Sequence, residues 1–207
     1  MQKVSRSLLV IVAIFCLALG ICSQSYASGC SYYLPVPFLK QVPPGDWTNT
    51  KNCGQTCAVM LGGYFNKTAV TSTQITAQNT WLANYTHDTR YNNANGWYTG
   101  GSSIGAYRTL LSQVHHLNSF VYNGSSFDDI LNYGCDGFPV IAGVMISGGN
   151  LVSSGGLAHW VIVVGYDGCN VIINDPGSSS GNARRYSLAT FVASWSTQAK
   201  IYMPISN

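Results

Sequence analysis

The chain has 207 residues, a formal net charge of +3 and only 8% charged side chains. Beyond the first 27 residues it holds eight Lys or Arg, seven Asp and no Glu, so a neutral polar surface of Ser, Thr, Asn, Gly and Tyr must face the solvent. Near-neutrality argues against a nucleic-acid partner, which calls for a basic face, and the lack of Glu leaves a paired-carboxylate glycosidase with Asp alone.

Residues 1–27 read as a signal peptide: Lys3 and Arg6 precede an apolar stretch at 8–22, and Ser25-Tyr26-Ala27 fits a cut before Ser28. The apolar stretch is shorter than the roughly 20 residues that span a bilayer. A lipoprotein signal is the minor alternative, because Ala27-Ser28-Gly29-Cys30 loosely resembles a lipobox with Ala in place of Leu. Residues 28–207 then form one domain, long enough to bury a core and undivided by any repeat or linker. Cys16 and Cys22 leave with the signal; Cys30, Cys53, Cys57, Cys135 and Cys169 remain. An odd count in an oxidising compartment reads as one reactive thiol with up to two disulfides among Cys30, Cys57, Cys135 and Cys169, pairing open. Cys53, Cys57 and His115-His116 match no strong zinc spacing, so no metal and no cofactor is expected.

In chain order, residues 32–41 alternate, and Val36-Pro37-Phe38-Leu39 suits a short edge strand. Pro43-Pro44-Gly45-Asp46 makes a turn. Asn52 is a good helix N-cap with Gln55 at capping-box spacing, and the apolar run Ala58-Val59-Met60-Leu61 follows. That places Cys53 in the first helical turn, where backbone N–H groups and the helix dipole favour a thiolate. Gly62-Gly63 is expected to interrupt this helix near its end and to permit close packing. Helices are predicted over 70–85, over 104–117 with Ser102 or Ser103 as cap, and over 126–131, where Asp128 and Asp129 complement the helix dipole. The loop 92–101 carries Trp97 and Tyr98, which either line a substrate groove or pin the loop. Strands are predicted over 138–146, 159–166, 170–174 and 200–204. Helices first and strands second argue for α+β with an antiparallel sheet. Asp167-Gly168 signals a hairpin that brings His159, eight residues before the turn, near Asp175, seven after it. A cysteine at a helix start with a histidine and an aspartate on paired strands is what a thiol nucleophile needs.

Gln41, Cys53-Gly54, Gly137-Phe138-Pro139-Val140, the run His159-Trp160-Val161-Ile162-Val163-Val164-Gly165-Tyr166-Asp167 and Asn174-Asp175-Pro176 follow one another in order, with Phe191 and Trp195 before the last strand. This layout resembles the C39-like (papain-like) cysteine peptidase family, the relatives of bacteriocin-processing peptidases, over nearly all of residues 28–207. Gln55 and Cys57 depart from its pattern, which more often has Pro and then Ser or Ala there. The resemblance implies a papain-like fold, with an N-terminal nucleophile helix and further helices packed on a C-terminal antiparallel β-sheet. It implies that Cys53 attacks a carbonyl carbon, His159 relays protons, Asp175 orients His159, and Gln41 donates to the oxyanion with the Cys53 backbone N–H. A Cys53–Cys57 bond would disable such a site, although helical i,i+4 geometry strains it. The expected protein is a secreted, monomeric cysteine peptidase whose partner is a peptide or protein substrate, with no nucleic acid and no stable membrane insertion after signal cleavage. The alternatives are a transpeptidase or amidase acting on cell-wall peptides, or a catalytically idle peptide- or glycan-binding module of the same fold.

Overall fold

A long apolar helix runs under one face of an eight-stranded sheet, and its first residue is Cys53. The computed structural model describes residues 30–91, 103–124 and 126–207. The expected signal peptide, the aromatic loop 92–101 and the candidate cap Ser102 lie outside the described residues. The helices are α1 (Cys53–Asn66), α2 (Ser72–Thr86), α3 (Ile104–His115), α4 (Phe127–Cys135) and α5 (Leu188–Ser196). The strands are β1 (Tyr32–Tyr33), β2 (Asn118–Ser119), β3 (Val140–Ser147), β4 (Asn150–Leu151), β5 (Leu157–Tyr166), β6 (Asn170–Asn174), β7 (Arg184–Ser187) and β8 (Tyr202–Ser206).

Helix α1 is buried without a break from Gly54 to Gly63, as befits a helix apolar all round. Gly62-Gly63 does not interrupt it; the helix continues to Asn66 and stops where Lys67 turns left-handed at φ 55°. The packing role holds: a Cβ on Gly62 would stand 2.1 Å from His115 Nδ1, and one on Gly63 would stand 2.4 Å from Val70 Cγ1. Helix α2 starts with a Thr71–Gln74 capping box and α4 with a Ser126–Asp129 box. Ser103 caps α3, accepting the Ala106 N–H at 3.1 Å.

The main strand order is β2-β8-β3-β5-β6-β7, with β1 on β5 and β4 on β3, every pairing antiparallel. Ile141, Ile162, Val164, Ile172 and Met203 pack with α1 and α3, while Val140, Ala142, Val161, Val163 and Ile173 pack with α4 and α5. Both faces are covered, which is why the central strands read as continuous apolar runs and not as alternation. Residues 36–39 are not the expected edge strand. Pro35 and Pro37 lack the N–H a ladder needs, so bonding to β5 ends with the Leu34 N–H, which donates to the Val164 carbonyl at 2.7 Å, and the Asn174 side chain donates to the Val36 carbonyl at 3.0 Å. The predicted strand at 200–204 begins at Tyr202 because Ala199 and Lys200 are left-handed. Cys30 is disulfide-bonded to Cys135, tying the start of the described chain to the end of α4 across 105 residues.

Candidate active site

Cys53 opens α1, but its helix end is not built as expected. Asn52 makes no side-chain cap bond, and no Asn52–Gln55 capping box forms. Both amides are buried and look elsewhere: Gln55 Nε2 donates to Asn79 Oδ1 at 2.9 Å, and Asn79 Nδ2 donates to Asn52 Oδ1 at 3.0 Å. Asn52 Nδ2 reaches the Pro44 carbonyl at 3.2 Å. In the interior, an amide that meets another amide satisfies two polar groups at once, and this outcompetes a local cap. The network joins the α1 start to α2 and to the loop before it.

His159 lies on β5. Its Nε2 is 2.7 Å from Asp175 Oδ1, with the two side chains 4% and 0% exposed. Asp175 Oδ1 also accepts the Gly177 N–H at 2.9 Å. With Nε2 engaged on Asp175, Nδ1 is the ring nitrogen left to serve the Cys53 thiol, and the ring and the thiol interact electrostatically. Burial pushes the Cys53 thiol up, but the imidazolium charge, its hydrogen bond and the backbone N–H groups of Trp160 and Gly54 together bring it below the ordinary thiol value. Burial pulls His159 down, and the facing thiolate and the Asp175 hydrogen bond outweigh it, so the imidazolium persists well above its usual range. The arrangement shifts both groups toward the thiolate–imidazolium form.

A bulge sets the phase of this pair. Val163 opposes Ile173 while Gly165 opposes Ile172, so Val164 is one residue extra. Ile162 then faces Asn174, and the next step sets Asp175 opposite Val161, two residues from His159 and in phase with it. Had the Tyr166–Val171 register continued unbroken, Asp175 would oppose Ile162, out of phase with His159. Gly177 closes the pair on its other side: a Cβ there would stand 2.7 Å from His159 Cε1 and 2.9 Å from Nε2.

Gln41 is buried on the loop between β1 and α1. Its backbone N–H donates to the Pro176 carbonyl at 2.9 Å, which ties it to the segment carrying Asp175. Its side-chain nitrogen faces the Thr50 carbonyl at 3.4 Å. His159 and Asp175 are thus in direct contact, Cys53 interacts with the His159 ring electrostatically, and Gln41 is tied to the Asp175 segment through the backbone. Cys57, one turn along α1, is fully buried, is not bonded to Cys53, and points its Sγ at the Trp160 carbonyl, 3.6 Å away. Burial, then the charges of Cys53 and Asp175, push its thiol far up.

His115 belongs elsewhere. It packs on Gly62, nine residues or about 13 Å along α1 from Cys53, meets Gln78 Nε2 at 2.6 Å, and is pulled by burial down to about 4. Among the described residues no group of three or more His, Cys, Asp or Glu is placed to hold a metal ion. Sequence reasoning passed over Asn79, Gly177 and Arg184. Only the position of Gly177, two residues beyond Asp175, marked any of them in advance.

The model of the peptidase C39-like family matches residues 33–203. Seventeen chains of known structure match as well. One of them, a Bacillus anthracis protein described as a candidate C39-like peptidase, superposes with a TM-score of 0.59 at 17% identity, covering 86% of this chain and 98% of that one. At that identity the likeness shows the shared fold. No curated protein sequence matches.

Proposed function

This chain belongs to the peptidase C39-like family, and from that premise we propose that it is an exported cysteine peptidase working through Cys53, His159 and Asp175. The observation that carries the proposal is the buried His159–Asp175 pair, Nε2 to Oδ1 at 2.7 Å, whose ring acts electrostatically on the Cys53 thiol at the start of α1. The Cys53 thiolate attacks the substrate carbonyl carbon, and the carbonyl oxygen takes the negative charge. The Cys53 backbone N–H and one N–H of the Gln41 side chain receive that charge, the Gln41 amide turning from Thr50. His159 gives its proton to the leaving amine as the C–N bond breaks, leaving a thioester on Cys53. Neutral His159 then takes a proton from water, whose oxygen attacks the thioester; the acid departs and the thiolate–imidazolium pair is restored. Asp175 holds the ring through both halves.

Export is supported by residues 1–27 and by the Cys30–Cys135 disulfide, a bond suited to an oxidising compartment. The test is incubation of the purified protein with a mixed peptide pool, with and without free amine acceptors, read by mass spectrometry. New peptide fragments ending in free carboxylates, absent with Cys53→Ala, are expected. Products joined to the amine would assign the site to acyl transfer. No product from a wild-type protein whose Cys53 alkylates rapidly would overturn the peptidase proposal.

A further inference from the structure

A buried carboxylate is costly unless charge and hydrogen bonds meet both of its oxygens. Asp175 Oδ1 is met by His159 and the Gly177 N–H. Oδ2 faces the Arg184 guanidinium on β7, with Nη1 at 3.4 Å. That guanidinium is itself fixed from several directions. Nη1 also donates to the Gly149 carbonyl, Nη2 donates to Asn150 Oδ1 at 2.9 Å, and the group lies over the Tyr186 ring at 5.0 Å. The carbonyl is presented by the turn between β3 and β4, where Gly148 and Gly149 adopt φ of 56° and 74°, the left-handed region that glycine fills without strain. None of these anchors depends on His159.

We infer that Arg184 is a positioning residue: it fixes the second oxygen of Asp175 and neutralises that buried carboxylate throughout turnover, whether or not His159 carries its extra proton. The inference rests on the Cys53–His159–Asp175 reading proposed above. In that cycle His159 is cationic before attack and neutral once the leaving amine has taken its proton. During the neutral phase Asp175 needs another cation. The other titratable groups that face it, Tyr186 and Cys57, supply none, and those that face Cys53, namely His159, Cys57 and Tyr107, add only His159. Without Arg184 the second oxygen of Asp175 loses its charged partner and the carboxylate is no longer held against the His159 ring. The imidazolium then loses its partner, the thiolate loses the imidazolium, and the acid limb of Cys53 reactivity moves to higher pH.

The test is the pH profile of Cys53 alkylation by iodoacetamide, resolved by peptide mapping, on the full chain and on Arg184→Met and Arg184→Lys, with a thermal melt of each. Arg184→Met should move the acid limb up by about one pH unit, roughly tenfold slower reaction on that limb. Arg184→Lys keeps the charge and should restore most of the shift. An unmoved limb in Arg184→Met, or equal shifts in both variants, would overturn the inference, whatever the melts do. If Arg184→Met does not fold, Asn150→Ala, which loosens one anchor of the guanidinium, must shift the limb in the same direction; no shift overturns it. A wild-type Cys53 that reacts like an ordinary thiol would sink the catalytic reading itself, a result distinct from these.

Discussion

Cys53 and Cys57 stand one turn apart on the same helix, and they are opposite in chemistry. Cys53 is partly exposed at the helix start, meets His159 and two backbone N–H groups, and has its proton loosened. Cys57 is sealed in the core against the Trp160 carbonyl, with the nearby charges of Cys53 and Asp175 and its burial all holding its proton on. The two thiols hang from one helix, Cys53 at its first residue and Cys57 one turn inside it. The difference teaches that thiol reactivity here is set by what β5 and the segment after β6 bring to the helix, and by which turn of the helix they meet.

The sharpest way to break the comparison is to exchange the two losses. Cys53→Ala should remove peptide hydrolysis by roughly 10⁴-fold or more, while Cys57→Ala should keep most of it and cost about 1 kcal/mol in a denaturant melt. Comparable activity loss in both would mean that the second turn carries chemistry too. Asp175→Asn should come next. It preserves shape but not charge, and a drop of roughly 10²- to 10⁴-fold in kcat/KM is expected with the helix and sheet intact by circular dichroism.

The pH dependence sharpens the contrast further. Because Cys53 is lowered and His159 raised, activity should rise with pH through a limb below the ordinary thiol value of about 8.5 and fall through one above the ordinary imidazole value of about 6.5. His159→Ala should abolish the acid-side reactivity and return Cys53 alkylation to an ordinary thiol profile, whereas Cys57 should stay unreactive in the folded protein at every pH of the profile. Gly177→Ala is a smaller perturbation. Its methyl would meet the His159 ring at 2.7 Å, so kcat should fall by roughly tenfold, about 1.4 kcal/mol, with little change in the melt. A fully active Gly177→Ala would show that the ring yields freely.

Much of the site could be read along the chain because its chemistry is local at each position. Asn52 before an apolar run placed Cys53 at a helix start, and Asp167-Gly168 between two apolar runs announced the hairpin that carries His159 and Asp175. The helices over 72–86 and 104–115 and the strands β3, β5 and β6 followed from periodicity and β-branched content. Misreadings came where buried polar groups found distant partners. The Asn52–Gln55 box gave way to Asn79, and the strand at 36–39 gave way to proline chemistry and the Asn174 amide. Helix α5 showed itself only as Phe191 and Trp195, since a nine-residue helix buried on one side has too few turns to display a period.

By itself the sequence determined the α+β class, the order of helices α1 to α4 and of strands β3, β5, β6 and β8, and the three residue types set at a helix start and along one hairpin. Those properties depend on propensity, periodicity and turn chemistry within a few neighbouring residues. Only the tertiary structure decided which thiol meets the imidazole, that one extra residue at Val164 puts Asp175 in phase with His159, and that Arg184 on a third strand faces the carboxylate. A one-residue shift of register and a side chain reaching across strands leave no local trace, because their energies come from pairing and burial between segments far apart in the chain.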